Sequence, residues 1–242
     1  MLKALIGAGV AAAAVAAGYQ SMAPAGQWYG RTFVHGVEGT RQIALTYDDG
    51  PNDPHTLRLL EVLAKHDARA TFFLIGQFVE HRPDIVREIL QAGHAIGNHT
   101  FTHPRLIFTS FAETKNQLQR CQDAIADATG ETPKLFRPPF GGRRPDTLRT
   151  ARAMGLQPIM WSITGFDWTA PPAERIVRRV SGQIRGGDVV LLHDGGHLGM
   201  GADRSQTVAA TEQLLDHWHK QGYTFLSVPE MISACSEKRV TA

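Results

Sequence analysis

The 242-residue chain lacks the features that would tie it to nucleic acid, to a disulfide scaffold or to a membrane interior. Its 25 basic residues are nearly balanced by 23 acidic ones, for a net charge of +2, so it carries no electrostatic footprint for a nucleic-acid partner. Cysteine is scarce: Cys121 and Cys235 lie far apart and form neither a CxxC pair nor a metal cluster. They read as independent thiols, with pairing left open should the protein reach an oxidising compartment. No stretch reaches the roughly 20 apolar residues of a spanning helix. No internal repeat occurs, and the N-terminal Ala-rich stretch is the one compositionally biased tract. What remains, 43% apolar and 20% charged, is an ordinary globular composition at a length that suits one domain.

The N-terminus differs from the rest. Met1-Leu2-Lys3 carries a positive charge, and residues 4–17 carry no charge and are mostly Ala. A short positive region followed by an apolar region of this length matches a secretory signal. Small-x-small cleavage sequences occur at Ala14-Val15-Ala16 and at Ala23-Pro24-Ala25. The expectation is export to the periplasm, cell envelope or extracellular space. Residues 1–25 then form a signal peptide or, uncleaved, an N-terminal anchor associated with the membrane. Residues 26–40, rich in Gly and polar side chains, read as a linker leading into a domain at 41–235, with 236–242 as a C-terminal tail. Nothing in the sequence assigns an oligomeric state.

Within the domain, short apolar runs alternate with helical patterns. Residues 43–47, 70–75, 94–97, 134–136, 158–161, 188–192 and 223–228 are continuous apolar runs, as expected of buried parallel strands. Helical patterns cover 57–66, 83–92, 110–128, 146–154, 172–184 and 205–221, several opening on Pro or Ser. Strand–helix alternation predicts an α/β fold with helices outside a parallel sheet. Seven strands in one domain fit a distorted (β/α) barrel, with an open sheet as the alternative.

Chemically capable side chains follow these strands directly: Asp48 and Asp49, then His99 and His103, Arg137, Asp167 and His193. In a barrel of parallel strands all such positions share the rim where active sites form. Adjacent Asp48 and Asp49 would face opposite ways on a regular strand, but the following Gly50-Pro51 turns the backbone. One carboxylate can then ligate a metal while its neighbour accepts a proton. His99-Thr100-Phe101-Thr102-His103 can grip one ion if helical or tightly turned, but Thr100 stands where zinc proteases place a Glu base. Two His and a carboxylate with open positions suit one catalytic divalent ion, Zn²⁺ first, with Co²⁺, Fe²⁺ and Mn²⁺ compatible.

Five blocks, in order, carry a resemblance: Thr46-Tyr47-Asp48-Asp49-Gly50-Pro51, His99-Thr100-Phe101-Thr102-His103, Arg137-Pro138-Pro139-Phe140-Gly141, Asp167-Trp168 and Leu191-Leu192-His193. The chain resembles the NodB-type polysaccharide deacetylases, the carbohydrate esterase family that includes chitin deacetylases and peptidoglycan N-acetylglucosamine deacetylases. The resemblance implies a distorted barrel that removes acetyl groups from an N-acetylglucosamine-containing polysaccharide or oligosaccharide. It implies Asp49, His99 and His103 as metal ligands, Asp48 as general base and His193 as general acid. Arg137 would hold Asp48, and Asp167 would tune His193. Trp168 and Leu191 would line the acetyl pocket, and the Phe140 backbone N–H would face the oxyanion.

Two positions depart from the family pattern. Thr164 replaces the first Asp of the fourth block, and Phe140 replaces a frequent Tyr, which removes a hydroxyl but leaves the backbone donor. O-deacetylation of a xylan-type polymer and a non-catalytic carbohydrate-binding role are the alternatives. The Gly-rich segment 195–201 reads as a surface loop near the site, with His197 as a candidate substrate contact. His35, His55, His66, His81, His94, His217 and His219 read as surface or packing residues.

Overall fold

The computed structural model describes residues 13–240; the charged start of the leader, Met1 to Lys3, lies outside them. Helix α1 occupies residues 13–22. Strands β1 (Gln42–Gly50), β2 (Ala70–Leu74), β3 (Ala95–Asn98), β4 (Leu135–Phe136), β5 (Gln157–Pro158), β6 (Ile163–Thr164), β7 (Asp188–His193) and β8 (Thr224–Phe225) form one sheet. Around it pack α2 (His55–Lys65), α3 (Gly76–His81), α4 (Pro83–Gln91), α5 (Phe111–Thr129), α6 (Pro145–Ala153), α7 (Ala173–Ser181), α8 (Ser205–Lys220) and α9 (Val228–Val240).

The strand order is β5-β4-β3-β2-β1-β7-β6, with β8 paired to the start of β1, and every ladder is parallel. The two ends of this path, β5 and β6, are joined by residues 159–162. There Ile159 N–H donates to Phe136 and Ser162 N–H donates to Val189, so the chain crosses the opening of the sheet. The result is the expected distorted barrel.

Side chains of alternate strand residues fill its two faces. Leu45, Tyr47, Phe72 and Leu74 face the helices and join the large outer core with Leu59, Leu63, Ile85, Ile125 and Leu214. Ala44, Phe73, Leu135, Ile159 and Val189 face inward and are sealed below by Val228 and Met231 of α9. Continuing up the inner face in steps of two, Ala44 leads to Thr46 and Asp48, and Val189 leads to Leu191 and His193. The interior is therefore apolar at the bottom and polar at the rim.

Three local differences from the sequence expectation have physical reasons. Only Pro158 of the run at 158–161 lies in a strand; the rest belongs to the crossing segment, flanked by two two-residue strands, and the sheet path holds seven strands with β8 paired to β1 beside it. A two-residue ladder leaves no periodic signature. Helix α3 was hidden because it is short and opens on Gly76, which is needed there: a Cβ would sit 2.7 Å from the Phe101 ring and 2.9 Å from the Cys121 backbone. Helix α9 continues through residues expected to form strand and tail, because Val228 and Met231 plug the barrel. Cys121 and Cys235 are free thiols, and burial pushes Cys121 up to about 12. Among the described residues no helix is long and apolar enough to cross a membrane.

Candidate active site

Strand β1 ends in a register shift between Asp48 and Gly50 against β2, with Asp49 in the left-handed region at φ 74°. This bulge lets two adjacent carboxylates serve one cleft, which a regular strand forbids. Asp48 still obeys the strand and lies opposite His193 in the β1–β7 register. Asp49 is turned toward the histidines. Both are buried, at 4% exposure each.

The histidine segment is a tight turn, not a helix. Thr100 and His103 both have positive φ, 69° and 58°. The turn is held from three sides. Asn98 Oδ1 accepts from Thr100 N–H, and Gln117 Oε1 accepts from both Phe101 and Thr102 N–H. The start of α3 donates to it through Gly76 and Gln77 N–H. Left-handed backbone at Asp49, Thr100, His103 and Phe140 is strain of the kind that clusters at functional sites.

Asp49 Oδ1 lies 3.2 Å from His103 Nε2 and 3.5 Å from His99 Nε2, so the three side chains converge on one point. His99 Nδ1 donates to the Arg137 carbonyl at 2.8 Å, which leaves its Nε2 lone pair aimed into the cluster. Asp49 Oδ1 is buried without a hydrogen-bond partner among the described residues. Two imidazole nitrogens, one orphaned carboxylate oxygen and an open cleft fit a divalent cation. Burial alone would raise the Asp49 pKa, but His99, His193 and His103 outweigh it and hold the carboxyl well below its ordinary range. Burial, with His99 beside it, pushes His103 down to about 3, keeping it neutral as a ligand must be.

Behind the cluster stands Arg137, fully buried. Its Nη1 donates to Asp48 Oδ1 at 2.8 Å and to Thr46 Oγ1 at 2.7 Å, and its Nη2 donates to the Met160 carbonyl at 2.9 Å. Its guanidinium also lies 4.2 Å from the Phe73 ring centroid. Burial lowers the Arg137 pKa from its ordinary value, and Asp48 beside it offsets only part of that cost. With Oδ1 pinned, Asp48 presents Oδ2, which is 3.6 Å from His99 Nε2.

Across the cleft, Asp167 grips His193 twice, accepting from its backbone N–H at 2.7 Å and from Nδ1 at 2.9 Å. Thr207 at the start of α8 donates to the same carboxylate at 2.9 Å. Burial alone would lower the His193 pKa, but the Asp167 charge and hydrogen bond, aided by Asp49 and Asp48, raise it to about 9. Nδ1 is committed, so Nε2 is the proton-bearing atom that can meet a ligand.

Asp48, Asp49, His99, His103 and His193 line a cleft of about 480 Å³ whose walls include Phe140, Trp161, Trp168, Leu191 and His197. Leu191 is buried in the wall, while Phe140 and Trp168 are part-exposed at its mouth. The Trp168 ring stands edge-on to His193, 5.3 Å between centroids. All ten residues singled out in the sequence are thus brought to one rim. Thr164, the departure in the fourth block, spends its hydroxyl locally, accepting from Phe166 N–H.

His197 lies closer to the centre than the sequence suggested. It stacks on His103 at 4.7 Å and meets Phe140 edge-on at 5.1 Å. The loop carrying it is tied down by Asn52, which accepts from Gly201 N–H and donates to the Asp194 and Ala202 carbonyls. Thr46, Asn52, Asn98, Gln117 and Thr207 are the positioning residues that sequence reasoning missed. A lone polar residue carries no local signal of its partner; Thr46, Asn52 and Asn98 lie in or beside the motif blocks and proximity could have raised them, whereas Gln117 and Thr207 lie far from any block.

The family model described as polysaccharide deacetylase matches residues 35–159. A peptidoglycan-N-acetylglucosamine deacetylase of Bacillus cereus is 40% identical over 192 residues, covering 78% of this chain and 87% of the relative. A chitooligosaccharide deacetylase of a Bradyrhizobium species is 37% identical over 202 residues, covering 81% and 92%. A crystal structure of a peptidoglycan N-acetylglucosamine deacetylase, bound to a naphthyl N-oxidanyl-benzamide, superposes with a TM-score of 0.77 at 33% identity, covering 83% of this chain and 92% of that one.

Proposed function

Because the chain belongs to the polysaccharide deacetylase family, we propose that it is a hydrolase that removes acetyl groups from N-acetylglucosamine units of peptidoglycan or a chitin-like oligosaccharide. The observation that carries this reading is that the proposed base and acid, Asp48 and His193, stand side by side in register on β1 and β7, in the same cleft as the Asp49–His99–His103 cluster.

Asp49, His99 and His103 would hold one divalent cation, with Zn²⁺ the first candidate. When bound, such an ion polarises a carbonyl and makes water acidic near neutral pH. The remaining work falls to the chain. Asp48 Oδ2 takes a proton from the attacking water as the carbon–oxygen bond forms, while Arg137 keeps the carboxylate from rotating away. The carbon–nitrogen bond then breaks, and His193 Nε2 delivers its proton to the departing amine. Asp167 holds that ring in the correct tautomer. Help of this kind is typically worth about 10²–10⁴-fold per group. The Phe140 backbone N–H faces the developing oxyanion, a contribution of about 3–4 kcal/mol for a well-placed donor. Leu191 and Trp168 receive the acetyl methyl, and the Phe140 and Trp168 faces at the mouth suit the apolar faces of a sugar ring.

The leader composition supports export, which would bring the enzyme to cell-wall polymer. The test is acetate release from chitooligosaccharides, peptidoglycan and acetylated xylan, after chelation and readdition of single metals. Release from the two N-acetylated substrates, lost on chelation, is expected. Release from xylan alone would overturn the amide reading. Full activity in stripped protein would overturn the metal assignment.

A further inference from the structure

One buried guanidinium takes no part in the chemistry above. Arg143 follows the Phe140–Gly142 loop and is fully buried. Its Nη1 donates to the Gly141 carbonyl at 3.0 Å. Its Nη2 donates to Ala23 O at 2.6 Å and Gly26 O at 2.8 Å, and its backbone N–H donates to Ser21 O at 2.9 Å. Three of these four acceptors therefore come from the segment before the barrel.

That segment is tied by its own contacts as well. Gln20 is buried, and its Oε1 accepts from Trp28 N–H at 3.2 Å. Tyr29 Oη donates to the Ala17 carbonyl at 3.0 Å. At Gly26 a Cβ would sit 2.8 Å from Gln20 Oε1 and 3.1 Å from Arg143 Nη2, so the backbone closes onto both. Met22 reaches the catalytic loop itself: its carbonyl and sulfur lie 3.5 and 3.7 Å from where Cβ atoms would stand on Gly141 and Gly142.

The two small-x-small sequences named above, Ala14-Val15-Ala16 and Ala23-Pro24-Ala25, are therefore not equivalent. A cut after Ala25 removes the Ser21 and Ala23 carbonyls and the Gln20 side chain, leaving a buried charge short of acceptors. A cut after Ala16 keeps every contact named here, including the Ala17 carbonyl. Ala14 and Val15 are exposed, Val15 at 74%.

We propose that residues 17–26 are a permanent strap of the folded enzyme, locked by Arg143 against the Phe140 loop, and that the leader is removed between Ala16 and Ala17. The proposal rests on the export reading and on no catalytic role.

The full chain with its own leader is expressed in an exporting bacterium, and the exported protein's N-terminus is read by intact mass. Ala17 is expected. A protein beginning at Gly26, or one retaining residues 1–16, overturns the processing site. Ala16→Leu is expected to block processing and Ala25→Leu to leave it unchanged; the reverse pattern overturns the assignment. For the lock, Arg143→Met and Arg143→Lys are compared with the parent by thermal unfolding. Arg143→Met is expected to lower Tm by about 5–10 °C and Arg143→Lys by less. An unchanged Tm in Arg143→Met overturns the lock, and failure of that variant to fold leaves Arg143→Lys to show a loss. None of these readouts uses acetate release, so their failure is separable from failure of the proposed activity.

Discussion

Asp48 and Asp49 are the same side chain one residue apart, and their surroundings give them different work. Arg137 pins one oxygen of Asp48 and leaves the other free for a proton, whereas Asp49 turns to the histidines. Asp48→Asn should lower kcat by about 10²–10⁴-fold while the bound-metal stoichiometry stays unchanged by elemental analysis. Asp49→Ala should instead abolish metal binding; retention of one tight ion per chain would reassign the ligands. His193 supplies a pH prediction. Its folded pKa is raised to about 9, above an ordinary histidine, so the protonated acid persists through neutral pH. The stability from its pairing with Asp167 is fully present below the unfolded pKa and is lost as pH rises through the folded one. The alkaline limb of kcat against pH should accordingly lie above the ordinary histidine range. In Asp167→Asn it should move to lower pH; an unmoved limb would show that another group titrates there. These proposed roles come from the family resemblance, because each residue stands in one of its motifs. What was not legible was the orientation of each carboxylate, which the bulge at Asp49 decides.

At the scale of elements, the two candidate histidine ligands are only as good as the turn that carries them. That turn is braced by Gln117 on α5, 15 and 16 residues downstream of its partners, through two backbone amides and the Thr102 hydroxyl. Gln117→Leu keeps similar volume and removes these bonds. Metal affinity should fall about 10–100-fold, as for loss of other ligand-supporting residues, with both histidines intact. Competition with a chromophoric chelator measures this, and unchanged affinity would show the turn to be self-supporting. The long helices were readable from periodicity, and α5 shows both end signals, with Ser110 accepting from Glu113 N–H and Gly130 left-handed at the C-terminus. Strand β6 and helix α3 were not readable, because two to six residues are too few to display a period and tertiary contacts alone hold them.

Over the whole molecule, the barrel joins side chains far apart in sequence into one rim with a candidate cation site. A ligand that binds the folded state alone stabilises it. Zn²⁺ at about 100 times its Kd should therefore raise Tm by roughly 5–10 °C for a domain of this size. The rise should vanish in His99→Ala; an equal rise in that variant would place the ion elsewhere. By itself the sequence determined the fold class and the gathering of the candidate residues at one rim, because parallel strands deliver the residues that follow them to one end whatever the details, and the family resemblance supplied the proposed chemistry. Only the tertiary structure decided that the sheet is bridged by residues 159–162, that α9 seals its base and that the histidines sit on a tight turn. It also revealed the strap at Arg143. Each of these depends on hydrogen bonds between residues remote in the chain, and a sequence pattern records the type of a residue but not its distant partner.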